Sequence, residues 1–173
     1  MAPGPTGGKG MADMTAIRNE ATLNGAADHH CFGCGDQNPH GLRLKFFRRD
    51  APEGGVYTDW LPTATDEGYV GMAHGGLVST VCDEVMAWSC YAGKIWGMTA
   101  RLTVRFREPV HVGRAYRAEG WVVTSRGRLV DVAAEMRDAM TGQLVADATA
   151  QFIRVSDEQS VAWSERYGGL DSE

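Results

Sequence analysis

Proline is scarce in this chain (6 of 173 residues) and cysteine scarcer still (4). No stretch approaches the roughly 20 consecutive apolar residues that a bilayer demands, so no membrane span is expected. The opening MAPGPTGGKGMADM has no apolar core segment, and a secretory leader is not expected either. Charge of one sign is not in large excess: 17 Lys+Arg face 22 Asp+Glu, a net of −5. That balance argues against a nucleic-acid partner and, with 43% apolar residues, excludes wholesale disorder. The cysteines do not form a disulfide framework. Cys82 and Cys90 lie eight apart in a helical pattern, about 12 Å at 1.5 Å per residue, whereas disulfide Cα atoms sit about 4.4–6.8 Å apart. Cys31 and Cys34 make a single C-x-x-C. A reducing, cytoplasmic setting is expected.

What is present divides the chain in three. Residues 1–28, rich in Gly, Pro, Ala, Thr and Met, read as a flexible arm. Residues 156–173 read as an acidic tail holding Asp157, Glu158, Glu165, Asp171 and Glu173 against Arg166. In that tail Trp163 and Tyr167, four apart, can dock a short helical turn on the body. The working domain is then 29–155, a length that can close a hydrophobic core.

Inside the domain the hydrophobic period changes twice. Leu42, Leu44 and Phe46 alternate with Arg43, Lys45 and Phe47, predicting a strand, and Val56–Leu61 predicts its return after the DAPEGG turn. Residues 62–73 read as a loop. From Leu77 the pattern is helical, with Val78, Val81, Cys82, Val85 and Met86 on one broad face and Ser79 and Asp83 opposite; Gly93 is the expected C-cap. The two-residue period then returns for four strands, starting with Leu102, Val104 and Phe106 and ending with Leu144 to Phe152. Short Gly-containing connections make neighbours antiparallel. The absence of β-α-β alternation excludes a doubly wound sheet. The expected architecture is α+β: a curved antiparallel sheet of about six strands wrapped around one long central helix, a hotdog fold.

The segment GMAHGGLVSTVCDEVMAW, Gly71 to Trp88, concentrates the chemistry. His74-Gly75-Gly76 sits where a helix begins, so unpaired backbone N–H groups face outward at the positive end of the helix dipole, and glycine lets a ligand come close. This is the chemistry of an oxyanion hole; the alternative is that the glycines only shape the helix entrance. Asp83, inside an apolar helix that sheet would enclose, is costly to desolvate without a task. Glu84 competes for the same role. Gly75 and Asp83, eight positions apart, are about 12 Å apart along one helix and cannot both act on one carbonyl from the same chain. Two antiparallel helices from two subunits would bring them together, which predicts composite sites in a two-fold dimer.

His74-Gly75-Gly76, then Asp83-Glu84, then a strand with Thr99 near its start resembles the hotdog-fold acyl-CoA thioesterases of the phenylacetyl-CoA thioesterase group. CFGCGDQNPHGL, Cys31 to Leu42, resembles the opening of one branch of that group. The resemblance covers about residues 31–154 and implies hydrolysis of an acyl-CoA to free acid and CoA. It implies that the Gly75 N–H polarises the thioester carbonyl, and that Asp83 of the facing subunit activates water or attacks directly. It further implies that Thr99 positions the water or the carboxylate and that His74 holds the loop. Gly76, Asn38 and Glu84 are expected substrate contacts. A homodimer or a dimer of dimers is expected, with no cofactor.

Seven arginines lie between Arg101 and Arg128 against Glu108 and Glu119. Guanidinium groups suit phosphate, and Arg126 and Arg128 flank the Gly127 turn where the nucleotide end of CoA can lie. Arg101, Arg105 and Arg107 can equally be a solvated sheet face. Cys31 and Cys34, with His29, His30 and His40 nearby, have the donors for a zinc tetrahedron, yet a single C-x-x-C lacks its second pair; the segment reads as a packed turn and no metal is expected. Two other functions remain open on sequence: a non-catalytic acyl-CoA binding protein, and a hotdog enoyl-CoA hydratase or dehydratase.

Overall fold

The structure, a computed structural model, describes residues 29–49 and 55–167. The expected arm and most of the DAPEGG turn lie outside the described residues. Element order is β1 (Phe47–Arg48), β2 (Val56–Trp60), a 3-10 turn (Ala64–Asp66), β3 (Glu67–Tyr69), β4 (Met72–Ala73) and α1 (Gly75–Ala92). There follow β5 (Gly97–Phe106), β6 (Tyr116–Arg126), β7 (Leu129–Asp138), β8 (Leu144–Arg154) and α2 (Asp157–Tyr167). No helix is long and apolar enough to cross a membrane among the described residues.

Six strands form one antiparallel sheet in the order β1-β2-β6-β7-β8-β5, and β3 pairs with β4 separately. The inner face of the sheet can be followed across the register: Val56 faces Gly120, Gly120 faces Ala134, Ala134 faces Ala148, and Ala148 faces Val104. These small side chains let the sheet close on α1, which meets β2 and β5 to β8. Sheet and helix come close at Gly120, where a Cβ would sit 2.7 Å from the Val85 carbonyl oxygen. From the helix, Val78, Val81, Cys82, Val85, Met86 and Trp88 complete the core, and Trp88 stacks on Phe46 at 4.9 Å. Burying such side chains, at ~1.5–3 kcal/mol each, is the main force holding helix to sheet.

Two local readings change. Leu42–Phe46 keeps the alternation of burial but not the strand, because Leu42 and Leu44 donate their N–H groups to Phe32 and Gly33, and Arg43 takes a positive φ of 51°. The extended ladder begins only at Phe47. The loop over 62–73 contains the 3-10 turn and the β3–β4 hairpin. At the far end, the tail forms the helix α2, and its Trp163 packs edge-on against Trp96 at 5.7 Å while Ser164 accepts a hydrogen bond from the Trp96 indole. The last residues, 168–173, lie outside the described residues.

Candidate active site

The helix entrance is built by His74. As N-cap it has extended backbone, and its Nδ1 accepts the Gly76 N–H at 2.9 Å while its carbonyl accepts from Leu77 and Val78. The imidazole therefore carries its proton, when neutral, on Nε2. One first-turn donor is left over: among the described residues the Gly75 N–H has no acceptor. Gly75 and Gly76 are both exposed, but Gly76's donor is spent on the cap.

Asp83 lies two turns further along α1, half-buried on the side away from the core. Its Oδ1 accepts a hydrogen bond from the Thr99 hydroxyl at 2.8 Å. Burial raises the Asp83 carboxyl above the ordinary carboxylate range, the Thr99 hydrogen bond pulls partly back, and the Cys31 charge adds to the rise. Thr99 reaches inward because β5 is bulged. Thr99 pairs with the buried Phe152 and Arg101 with Gln151, so Ala100 is the extra residue of a β-bulge. Strict alternation would have put Thr99 on the outer face with Arg101 and Thr103.

Glu84, the neighbouring carboxylate, turns elsewhere. It accepts from the Cys31 thiol at 3.3 Å and lies against the backbone of Gly33, where a Cβ would come within 2.3 Å of its Cγ. Burial, with the Cys31 charge as second cause, pushes the Glu84 carboxyl up to about 8. In the same cluster the hydrogen bond between the two thiols lowers Cys31 and raises Cys34. Cys31, Cys34 and Glu84 bring their donor atoms within 4.8 Å of one another, the one such group among the described residues. Sequence spacing gave no sign that Glu84 belongs with the C-x-x-C turn.

Beside this cluster opens a cavity of about 480 Å³, walled by Glu84, Trp88, Tyr91, Trp96, Trp163 and Tyr167. Trp88 and Trp96 come from the body of the domain, and Trp163 and Tyr167, from the tail, complete the wall. Their i, i+4 spacing was the only signal in the sequence.

The remaining expected residues are dispersed. Asn38 builds its own turn, donating to the His30 carbonyl at 3.2 Å and accepting from the His40 N–H at 3.0 Å. Arg107, Arg114 and Arg117 pair with Asp147, Asp138 and Asp59. Arg126 and Arg128 are exposed on the β6–β7 turn, where Gly127 takes a φ of 56°, and make no ion pair among the described residues. Thr99, Phe152, Val130 and Ser125 form one cross-strand row. The two arginines thus stand at the Thr99 end of the sheet, three strand spacings or about 14 Å across.

A six-stranded antiparallel sheet around one long helix is a hotdog fold, here with a carboxylate in mid-helix and an open amide at the helix start. Residues 70–145 match the Thioesterase superfamily model. A thioesterase superfamily protein of known crystal structure superposes with a TM-score of 0.67 at 24% identity, covering 72% of this chain and 63% of its own. The PaaI protein of the E. coli phenylacetic acid degradation operon gives a TM-score of 0.61 at 19% identity, covering 66% and 81%. In sequence, the acyl-coenzyme A thioesterase THEM4 of Bos taurus is 28% identical over 108 residues, 62% of this chain. The chain spans only 41% of that relative's length.

Proposed function

We propose that this protein is an acyl-CoA thioesterase that works as a two-fold dimer. The observation that carries the reading is the Thr99–Asp83 hydrogen bond. It occupies Oδ1 and turns the carboxylate so that Oδ2, which accepts no hydrogen bond from a described residue, is left for a water. Asp83 removes a proton from that water as its oxygen adds to the thioester carbonyl. The oxyanion that forms is held by the Gly75 N–H of the other subunit, the donor that the His74 cap leaves over. Collapse breaks the C–S bond, and the CoA thiolate leaves with the proton taken up by Asp83. Direct attack by Asp83, giving a mixed anhydride, uses the same groups.

The dimer is supported by β5, a ten-residue edge strand whose outer side pairs with no described strand and whose Met98 and Phe106 are exposed. The half-exposed helix side of Ser79, Thr80 and Asp83 offers a second surface for a partner. Arg126 and Arg128 suit the phosphates of CoA, and the relatives' name, acyl-coenzyme A thioesterase, agrees with that substrate class.

The test is thiol release from a panel of acyl-CoA esters. Asp83→Asn should lower turnover by about 10²–10⁴-fold, the range of a lost general base, with the fold intact by circular dichroism. Wild-type protein that binds acyl-CoA without releasing thiol is a binding protein, and water added across an enoyl-CoA double bond marks a hydratase; either result overturns the proposal.

A further inference from the structure

We propose that Cys31, Cys34, Glu84 and His29 form a binding site for a divalent zinc-type cation that fastens the N-terminal turn to α1. This site is separate from the Asp83–Thr99 pair, and the argument for it does not depend on hydrolysis.

The donors converge from distant parts of the chain. The two sulfurs and a Glu84 carboxylate oxygen lie within 4.8 Å of each other. Cys31 Sγ is 3.3 Å from Glu84 Oε1, and His29 Nε2 approaches Cys34 Sγ at 3.8 Å. Tetrahedral zinc with bonds of about 2.3 Å to sulfur and about 2.0–2.2 Å to nitrogen or oxygen puts its ligand atoms roughly 3.3–3.8 Å apart. The Cys31–Glu84 and His29–Cys34 pairs already lie at those separations, and the widest pair of the three-residue cluster needs to close by no more than about 1 Å.

The turn is shaped to hold them. Gly35 donates to the Cys31 carbonyl at 2.8 Å, and a Cβ on Gly35 would lie 2.5 Å from the Cys31 nitrogen. Gly33 has room for nothing but the Glu84 side chain. Leu42 and Leu44 then bond back to Phe32 and Gly33, so the turn is fixed in both directions. Such packing brings a carboxyl group against two thiols, of which Cys34 is only 4% exposed. A carboxylate in that place is poorly solvated, and a cation would supply the missing compensation. Two sulfurs with one nitrogen and one oxygen select a borderline-soft ion and disfavour calcium or magnesium, which take oxygen ligands. Each coordinating thiol loses its proton to bulk water on binding.

The experiment uses the full chain, reduced and stripped with a chelator, titrated with Co²⁺ and then with Zn²⁺. A site of this kind gives a thiolate-to-cobalt charge-transfer band and strong tetrahedral d–d bands at one ion per chain, and Zn²⁺ bleaches both. Zn²⁺ also raises the thermal midpoint. Cys31→Ser and Cys34→Ser should each remove most of the charge-transfer band; Glu84→Gln and His29→Ala should keep the band and weaken Zn²⁺ binding. Wild-type protein that shows no charge-transfer band in excess Co²⁺ overturns the proposal without recourse to any variant. A band that survives undiminished in both serine variants assigns it to Cys82 or Cys90 and also overturns it. Because no readout involves turnover, an inactive protein that binds zinc and an active one that does not are told apart.

Discussion

The Thr99 hydroxyl donates to Asp83 Oδ1 across 2.8 Å, joining the start of β5 to the middle of α1. A hydroxyl-to-carboxylate bond of this kind contributes about 1.5–3 kcal/mol. If the oriented carboxylate is needed mainly in the transition state, Thr99→Ala should lower kcat for acyl-CoA hydrolysis about 10–100-fold with little change in KM. Thr99→Ser keeps the hydroxyl and should retain most of the activity. A matching drop in both variants, read by steady-state thiol release, would show that the methyl packing matters and the hydrogen bond does not.

How Thr99 gets there marks the limit of what the sequence reveals. Alternation along Leu102, Val104 and Phe106 places Thr99 outward, and only the unpaired Ala100 turns it inward. Bulges obey the pairing of two strands, not the pattern of one, so a single strand's periodicity is silent on them. By contrast α1 was legible because its apolar face is long: Gly93 caps its end as expected, while its start lies two residues before the expected Leu77, at Gly75 behind the His74 N-cap. The four later strands were legible for the same reason. Leu42–Phe46 misleads because burial alternates there without a sheet ladder, the N–H groups being taken by the C-x-x-C turn. Glu84's union with Cys31 is a contact over 53 positions and leaves no local trace.

Gly120 should be the least replaceable residue of the inner sheet face. A methyl there meets the Val85 carbonyl oxygen at 2.7 Å and Ser89 Oγ at 2.9 Å, both parts of a helix that cannot move without disturbing the core. Gly120→Ala is therefore expected to destabilise the fold by about 1–3 kcal/mol, the usual cost of overpacking. Urea unfolding followed by tryptophan fluorescence measures it; an unchanged midpoint would mean that α1 shifts outward at no cost.

Acid stability should depend on Asp138. Its carboxylate accepts the N–H groups of Thr141 and Met140, both at 2.9 Å, and pairs with Arg114 at 2.8 Å. These partners, the Thr141 amide foremost, hold its pKa below the ordinary value. A carboxyl whose folded pKa is depressed binds fewer protons folded than unfolded near its ordinary pKa. Its stabilisation is complete above that ordinary value and disappears as pH falls through the lowered one. The thermal midpoint of wild type should fall more steeply below about pH 4, the ordinary Asp value, than that of Asp138→Asn. Parallel curves for the two proteins would contradict the assignment.

The Gly75 donor can be removed without removing anything else. Gly75 is the first residue of α1, the N1 position, where proline's fixed φ suits the helix and its missing N–H breaks no intrahelical bond. His74 before it has φ −63° and ψ 132°, the extended conformation that a following proline requires. Gly75→Pro should therefore fold with a thermal midpoint near that of wild type. If its amide is the oxyanion donor, kcat falls about 10²–10³-fold. Gly75→Ala is the control: its Cβ meets the Phe106 ring at 3.5 Å, an ordinary contact, and its N–H is kept. Alanine near wild-type activity with proline inactive points to the amide, because the added Cβ is common to both variants and the donor is lost only in proline. Equal loss in both would instead charge the effect to crowding at the helix entrance, and equal retention would free Gly75 from the reaction altogether.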